Sequence, residues 1–187
     1  MIKPWKTIRS TPAGDFRIFK IRSDLKTSPR TGKEHDFYVL DSVNWVNIIA
    51  VTPDQKLVMV EQYRHGSNTV ELEIPGGMMD AGEADPVVTA VRELREETGY
   101  AGKNARRLGK IWSNPAILNN RTYTVLVENC RLQHGVEFDQ GEDLETHLVP
   151  VAEIPKLVAD EKIGHPLVIV ALYYFELWQR GIKIVAA

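Results

Sequence analysis

The sequence predicts a mixed α/β fold in which strands come both before and after one central helix along the chain. Residues 45–51 and 57–63 have the composition of strong strands, and the turn at residues 52–55 joins them. Asp85 is a good N-cap and Pro86 a good first helical residue, so a helix is expected to begin there. Gly99 is expected to end that helix.

Composition limits the class of protein. The chain has 187 residues, 43% hydrophobic and 26% charged, which fits one compact domain with a sizeable core. Its formal net charge of −2 argues against nucleic-acid binding. The single cysteine, Cys130, excludes a disulfide framework. No apolar run reaches membrane-spanning length and no signal-peptide pattern is present, so we expect a soluble cytoplasmic protein that does not bind membranes.

Strands are expected before the helix. Residues 1–40 predict two or three strands, with alternation at residues 15–21 and 35–40 and a basic, turn-rich loop at residues 27–33. Residues 69–74 predict one more short strand.

Further strands and two helices are expected after the central helix. The strands are predicted at residues 107–112, 122–128 and 146–151. The helices are predicted at residues 154–161 and 166–180, and the last is apolar enough to cover one face of a sheet. We expect His147 and His165 to be ordinary, because no residues cluster around them at metal-ligand spacing.

The central helix carries a candidate metal site. Glu93, Glu96 and Glu97 share one face by their spacing. Crowded carboxylates repel one another, and hard divalent cations such as Mg²⁺ and Mn²⁺ relieve that repulsion. The alternative interpretation is a solvated acidic face laced with Arg92 and Arg95.

Two neighbouring features favour the metal site. Gly76, Gly77 and Gly82 allow a tight loop, so that a backbone carbonyl could reach the same ion. Arg92 lies one turn before Glu96 and can hold that carboxylate in place.

The apolar face of the helix is predicted from a second spacing. Val87, Val91 and Leu94 recur at i, i+4 and i+7 and predict one apolar stripe against the core. The three glutamates are therefore expected to face away from that stripe, with Glu93 nearly opposite Val91.

The stretch from Gly77 to Tyr100 resembles the Nudix box, written GX5EX7REUXEEXGU. Its fixed positions are filled by Gly77, Glu83, Arg92, Glu93, Leu94, Glu96, Glu97, Gly99 and Tyr100. One extra residue separates Glu83 from Arg92, at the loop–helix joint around Asp85 and Pro86. The resemblance implies an α/β/α sandwich around a mixed sheet, with an added N-terminal antiparallel sheet.

The resemblance extends beyond the box. Residues 62–64, Gln-Tyr-Arg, are similar to a segment of ADP-ribose and nucleotide-sugar hydrolases, and Pro115 is similar to a marker of the ADP-ribose pyrophosphatase subgroup. Arg64 then offers a planar, charged fork for a phosphate; the alternative is a surface arginine at a strand end. Glu73 matches a family position near metal and substrate.

The resemblance also implies an activity, namely metal-dependent hydrolysis of the pyrophosphate bond of nucleoside diphosphate sugars, including ADP-ribose. The metal, Mg²⁺ or Mn²⁺, is expected on Glu93, Glu96, Glu97 and the Gly76 carbonyl. Two other activities stay open: hydrolysis of nucleoside triphosphates or other nucleotides, and ligand sensing without turnover.

In the resembling subgroup the general base comes from the late acidic loop, here residues 137–145. Glu142 is ionisable and stands in a family-like frame. Gln140 has the right size and place but cannot accept a proton at neutral pH, so it is a candidate only if it replaces a native glutamate.

The domain expected from the resemblance covers residues 1–187 as one unit. Residues 41–187 form its catalytic core, and residues 1–40 form strands that pack across a homodimer. An ordinary edge sheet in a monomer is the alternative for residues 1–40.

Overall fold

The computed structural model describes residues 1–80 and 82–184. Its contacts divide the chain into two compact units. Met1–Asn44 and Trp112–Arg121 form the first unit, and Trp45–Ile111 forms the second with the chain from Thr122 onward.

The first unit is built on a three-stranded antiparallel sheet. Its strands are β1 (Lys6–Asp15), β2 (Lys20–Thr27) and β3 (Glu34–Asp41), in that spatial order. The prediction of strands before residue 40 is confirmed, as is a turn in the loop that follows Thr27, where the Ser28 N–H donates to the Lys33 carbonyl at 2.8 Å.

The prediction that residues 15–21 form one strand is wrong. These residues contain the hairpin turn between β1 and β2, where the Phe16 N–H donates to the Phe19 carbonyl at 2.9 Å. Arg17 has φ 62°, which a strand does not allow. Phe16 and Ile18 alternate with polar residues as in a strand, but both side chains are exposed. The alternation therefore reflects the hairpin tip and not a buried face.

Seven strands and three helices follow among the described residues. The strands are β4 (Trp45–Ala50), β5 (Lys56–Arg64), β6 (Thr69–Glu73), β7 (Gly76–Met78), β8 (Tyr100–Trp112), β9 (Arg121–Leu132) and β10 (Leu144–Pro150). The helices are α1 (Pro86–Thr98), α2 (Ile154–Ala159) and α3 (Pro166–Gln179). β8 and β9 begin or end well beyond the ranges expected from sequence, and β7 was not predicted.

Two sheets organise the second unit. One has the order β10-β5-β6 and the other the order β7-β4-β9-β8. β4 pairs with β9 in parallel and with β7 in antiparallel orientation, so the predicted mixed sheet is confirmed.

Strand β4 separates two hydrophobic cores. Val46, Ile48 and Ala50 point into a core that α1 covers, whereas Ile49 points into a core that α3 covers. Successive side chains of a strand alternate between its faces, so an almost continuously apolar strand needs a helix on each side. The predicted sandwich with helices on both faces is therefore confirmed.

Helix α1 begins and ends where the sequence predicts. The Asp85 carboxylate accepts a hydrogen bond from the Val87 N–H at 2.9 Å, and Pro86 is the first helical residue. Gly99 adopts the left-handed conformation, and its N–H donates to the Arg95 carbonyl at 2.8 Å.

The predicted apolar stripe on α1 is only partly correct. Leu94 is buried and Val87 packs against the core, but Val91 is 45% exposed. The buried face instead includes Ala90, Glu93, Leu94 and Glu97, at i, i+3, i+4 and i+7. Hydrophobic periodicity missed this face because it counts glutamate as a solvent-facing residue.

Among the described residues, no helix combines the length and apolar content that crossing a membrane requires.

Replacing Gly99 by alanine tests the helix end. We expect Gly99→Ala to lower the free energy of unfolding by about 2 kcal/mol or more, because αL costs an L-residue ~1–2 kcal/mol. A Cβ there would also lie 2.3 Å from the His134 carbonyl oxygen. Urea unfolding measures the change. Gly135→Ala is the control, since a Cβ at Gly135 meets nothing within 4 Å. Equal effects of the two substitutions would contradict the role of Gly99 as the left-handed residue that ends α1.

Candidate functional site

The acidic face of α1 lies against the glycine strand β7. Glu93 is 9% and Glu97 3% exposed, while the side chain of Glu96 is more open to solvent. The Gly76 N–H donates to Glu97 Oε2 at 3.1 Å. The structure thus brings Gly76 and Glu97, both predicted from sequence, into direct contact.

The pairing of β7 with β4 decides where the Gly76 backbone points. The Ile48 N–H donates to the Pro75 carbonyl at 2.8 Å, and Asn47 is the residue opposite Gly76. Hydrogen-bonded and non-hydrogen-bonded pairs alternate in an antiparallel ladder, so the N–H and carbonyl of Gly76 face away from β4. That orientation makes the Gly76 carbonyl available as a ligand beside Glu97.

Gly77 gives Glu93 its place. A Cβ on Gly77 would lie 2.4 Å from the carboxyl carbon of Glu93 and 2.5 and 2.6 Å from its oxygens. These distances are shorter than the contacts that Cβ atoms make in proteins. Only glycine therefore lets this carboxylate lie against the β7 backbone.

Arg92 is the cation at the centre of the site. Its Nη1 donates to Glu93 Oε1 at 3.0 Å and to Glu96 Oε2 at 3.1 Å. Its Nη2 lies 3.4 Å from Glu83 Oε2 and 3.5 Å from Asp80 Oδ2. One guanidinium therefore serves four carboxylates. Arg95 Nη2 adds a contact of 3.2 Å to Glu96 Oε1, so the cluster still has more carboxylates than cations.

Glu83 reaches this network in spite of the extra residue before Arg92. Its Oε2 accepts from the Thr89 hydroxyl at 2.7 Å and from the Asp80 N–H at 3.0 Å, besides its contact with Arg92. These donors, with Thr89 contributing most, hold the pKa of Glu83 below its usual range. Thr89 was not foreseen from the sequence, since a threonine inside a helix carries no motif of its own.

Burial controls the ionisation of the two inner glutamates. Burial raises the pKa of Glu97 to about 8, and the nearby Glu93 carboxylate adds to the rise. Burial likewise raises the pKa of Glu93 to about 7, against the opposing effect of Arg92. At neutral pH Glu97 is therefore mostly protonated and Glu93 about half protonated, and a cation would displace those protons.

Arg64 and Glu73 form a second pair, on β5 and β6. Arg64 Nε and Nη2 donate to the two oxygens of Glu73, each at 2.7 Å. Glu73 is buried, whereas the side chain of Arg64 is 42% exposed. Both oxygens of Glu73 thus serve Arg64, so Glu73 orients the guanidinium and its Nη1 takes no part in this pair.

The two base candidates differ in their surroundings. The Glu142 carboxylate contributes to the raised pKa of both Glu93 and Glu97, so it lies within electrostatic reach of them. Its Oε2 also accepts from the Asp139 N–H at 3.0 Å. Gln140 is exposed, and no side-chain bond links it to the described part of the site.

The expectation that nothing clusters around His147 is wrong. Ligand atoms of His147, Glu61 and Glu145 lie within 4.8 Å of one another, and His147 Nε2 is 3.2 Å from Glu61 Oε2. Glu145 and Glu61 are directly opposite on β10 and β5. This cross-strand pairing cannot be read from one sequence. His165 is ordinary, as expected: its Nδ1 accepts from the Leu167 N–H and caps α3.

The residues of the α1 site fit a hard divalent cation. Glu93, Glu96, Glu97 and the Gly76 carbonyl offer oxygen ligands, the donor type that Mg²⁺ and Mn²⁺ prefer. Glu93 and Glu97 are buried; Glu93 shares Arg92 with other carboxylates, and Glu97 has Arg64 within electrostatic reach. Neutralisation by a bound ion would remove the cost of burying them.

Replacing Glu97 by glutamine tests the charge of the site. A raised folded-state pKa means that Glu97 favours folding below its ordinary value of 4.5 and loses that contribution as pH rises through about 8. Without metal, Glu97→Gln should therefore melt higher than the parent at about pH 9 and nearly level with it at about pH 5. The gain corresponds to roughly 1.4 kcal/mol for each pKa unit removed.

Thermal melts at both pH values, with and without Mg²⁺, measure this difference. The parent should gain stability from Mg²⁺ and Glu97→Gln should not. Glu96→Gln, on the same helix but more open to solvent, is the control for the pH effect. A parent and Glu97→Gln variant that melt in parallel across the pH range would contradict the assignment.

The comparisons with known proteins agree with this geometry. Residues 43–169 match the NUDIX domain. The chain is 32% identical over 133 residues to the ADP-ribose pyrophosphatase of Bacillus subtilis, covering 71% of each protein. It is 28% identical over 179 residues to the methanol dehydrogenase activator of Bacillus methanolicus, covering 95% of each.

One solved structure has the same fold. A crystal structure of an ADP compounds hydrolase superposes with a TM-score of 0.84 at 21% identity, covering 99% of both chains. The resemblance seen in the box is thereby confirmed over most of the chain, and this protein belongs to the Nudix family.

Proposed function

We propose that the protein hydrolyses the pyrophosphate bond of nucleoside diphosphate sugars, ADP-ribose among them, to a nucleoside monophosphate and a sugar phosphate. The reaction depends on a divalent metal, with Mg²⁺ as the ion and Mn²⁺ as an alternative. The protein works in the cytoplasm as a homodimer. The similarity to an ADP-ribose pyrophosphatase supports this substrate class.

The observation that carries the proposal is the pair of buried carboxylates beside the glycine strand. Glu93 and Glu97 lie where burial raises their pKa to about 7 and about 8, with Gly76 and Gly77 packed against them. A merely structural helix would gain by apolar residues at both positions. Two acidic side chains that are buried in spite of the cost in stability are typical of a functional site.

Glu93, Glu96, Glu97 and the Gly76 carbonyl would hold the metal. When bound, a divalent ion there neutralises charge on the diphosphate and makes a water molecule more acidic. Arg92 keeps Glu93 and Glu96 in place through its two bonds from Nη1. Glu83 in turn holds Arg92, so the ligands are oriented before substrate arrives.

Arg64 binds the substrate phosphate in this proposal. Glu73 fixes its guanidinium through two bonds of 2.7 Å, which removes most of the freedom that a phosphate would otherwise have to restrict. The permanent charge and planar fork of Arg64 suit a diphosphate oxygen.

Glu142 takes the proton from the attacking water. Its carboxylate lies within electrostatic reach of Glu93 and Glu97, and it belongs to a polar loop that can bring it to the substrate. Position 140 could supply the base only if it held glutamate instead of Gln140.

A substrate panel with Mg²⁺ tests the function. ADP-ribose, several nucleotide sugars and nucleoside triphosphates are incubated with the protein, and products are identified by mass. The proposal expects AMP and ribose phosphate from ADP-ribose. Faster release of pyrophosphate from triphosphates would favour a triphosphate hydrolase. Tight binding of nucleotide sugars without turnover would favour a sensor.

The general base is tested by two reciprocal substitutions. Glu142→Gln should lower kcat by roughly 10²–10⁴-fold with little change in KM, because a base acts in the transition state. Gln140→Glu should leave kcat within about threefold of the parent. If Gln140→Glu raises kcat by roughly 10²-fold or more, Gln140 occupies the position of the base and Glu142 does not.

The homodimer is tested by mass in solution. The sheet of β1 to β3, with its hairpin turn and the residue before β1, exposes large apolar side chains: Trp5, Ile8, Phe16, Ile18, Phe37 and Tyr38. We expect light scattering to give twice the chain mass of 21.2 kDa. Ile18→Lys should shift the mass toward the monomer, whereas Tyr173→Lys, at an exposed position of α3, should not. A monomer at micromolar concentration would contradict the dimer.

A further inference from the structure

Thr89 is a polar side chain in an apolar place. It lies in the first turns of α1, is fully buried, and shares its helix face with Ala90 and Glu93. Its hydroxyl donates to Glu83 Oε2 at 2.7 Å, one of the shorter bonds around the site. A buried hydroxyl costs free energy unless it is hydrogen-bonded, so the position serves this one bond.

The Thr89 bond ties Glu83 to the start of α1, while the Asp80 N–H holds the same oxygen from within the loop. Glu83 belongs to the loop before α1, where no regular ladder or helix fixes a side chain, and the loop contains one residue more than the box pattern. In a helix the Cα–Cβ bonds tilt toward the N-terminus, so Thr89 reaches back over the first turn toward this loop. The hydroxyl therefore meets the Glu83 carboxylate directly and sets its distance from α1.

The bond continues into the metal-binding face. Glu83 Oε2 receives Thr89 and also contacts Arg92, whose Nη1 donates to Glu93 and Glu96. Thr89, Arg92, Glu93 and Glu96 lie at i, i+3, i+4 and i+7 and so share one face of the helix. A displaced Glu83 would release Arg92 toward solvent or toward a single glutamate.

We propose that Thr89 is a positioning residue: its hydroxyl holds Glu83 across the lengthened loop, and through Glu83 and Arg92 it sets the placement of the metal-binding carboxylates. This inference rests on the proposed function of that face. It explains why the extra residue at the loop–helix joint does not detach Glu83 from Arg92.

The experiment compares Thr89→Val with Thr89→Ser. Valine keeps the volume and β-branching of threonine but removes the hydroxyl, and serine keeps the hydroxyl. Mg²⁺ binding is measured by calorimetry on the purified full-length protein. We expect Thr89→Val to weaken Mg²⁺ binding by about three- to tenfold, the range for the net contribution of one ordinary intramolecular hydrogen bond, and Thr89→Ser to restore most of it.

A double-mutant cycle with Glu83→Ala separates positioning from packing. If Thr89 acts through Glu83, Thr89→Val in the Glu83→Ala background should change Mg²⁺ affinity by less than about 1.5-fold. Thr98→Val is the matched control. Thr98 is also buried on α1, but its hydroxyl donates to the Leu94 carbonyl, so the substitution should lower stability without altering Mg²⁺ affinity.

Two outcomes separate this inference from the proposed function. If Thr89→Val binds Mg²⁺ as tightly as the parent while the parent hydrolyses ADP-ribose, the positioning role fails and the function stands. If the parent turns over none of the panel, yet Thr89→Val binds Mg²⁺ more weakly and Thr89→Ser recovers it, the positioning role stands and the function fails. Equal loss in Thr89→Val and Thr89→Ser would also overturn the positioning role.

Discussion

The burial of Glu93 and Glu97 against a strand of glycines is the constraint on which the rest of the site depends. Both carboxylates lie on the buried side of α1. Glu93 pairs with Arg92, which also serves Glu83, Glu96 and Asp80, and Glu97 has Arg64 within electrostatic reach. The two side chains are therefore either charged at the cost of burial or protonated. A bound cation would lower the free energy of the charged form. The glycines are part of the same constraint, because a Cβ at Gly77 would displace the Glu93 carboxylate.

The fold supplies this arrangement through β4. The side chains on its two faces pack into separate cores, one under α1 and one under α3. Along one side β4 pairs with β7. The pairing leaves the backbone of Gly76 facing Glu97. The register of β7 against β4 therefore decides where the Gly76 carbonyl would meet a metal ion. On the other sheet, the buried carboxylate of Glu73 likewise fixes the guanidinium of the half-buried Arg64.

Much of this could be predicted from sequence, and the exceptions have physical causes. Asp85 and Gly99 marked the ends of α1 because caps are local chemistry. The buried face of α1 was not predictable from apolar spacing, since two of its members are glutamates. The contact of His147 with Glu61 depends on the register between β10 and β5, which a single chain does not reveal. The turn at Phe16–Phe19 was hidden because exposed apolar residues mimic strand alternation.

The most direct test of the account is proton release on metal binding. Carboxylates must lose their protons to bind Mg²⁺. The pKa of about 7 for Glu93 and about 8 for Glu97 means that Glu93 is about half and Glu97 mostly protonated at neutral pH. Calorimetry at about pH 7 in buffers of different ionisation enthalpy should show about one proton or more released per ion bound, and almost none at about pH 10. Binding of Mg²⁺ at neutral pH without proton release would contradict the placement of the ion on these two glutamates.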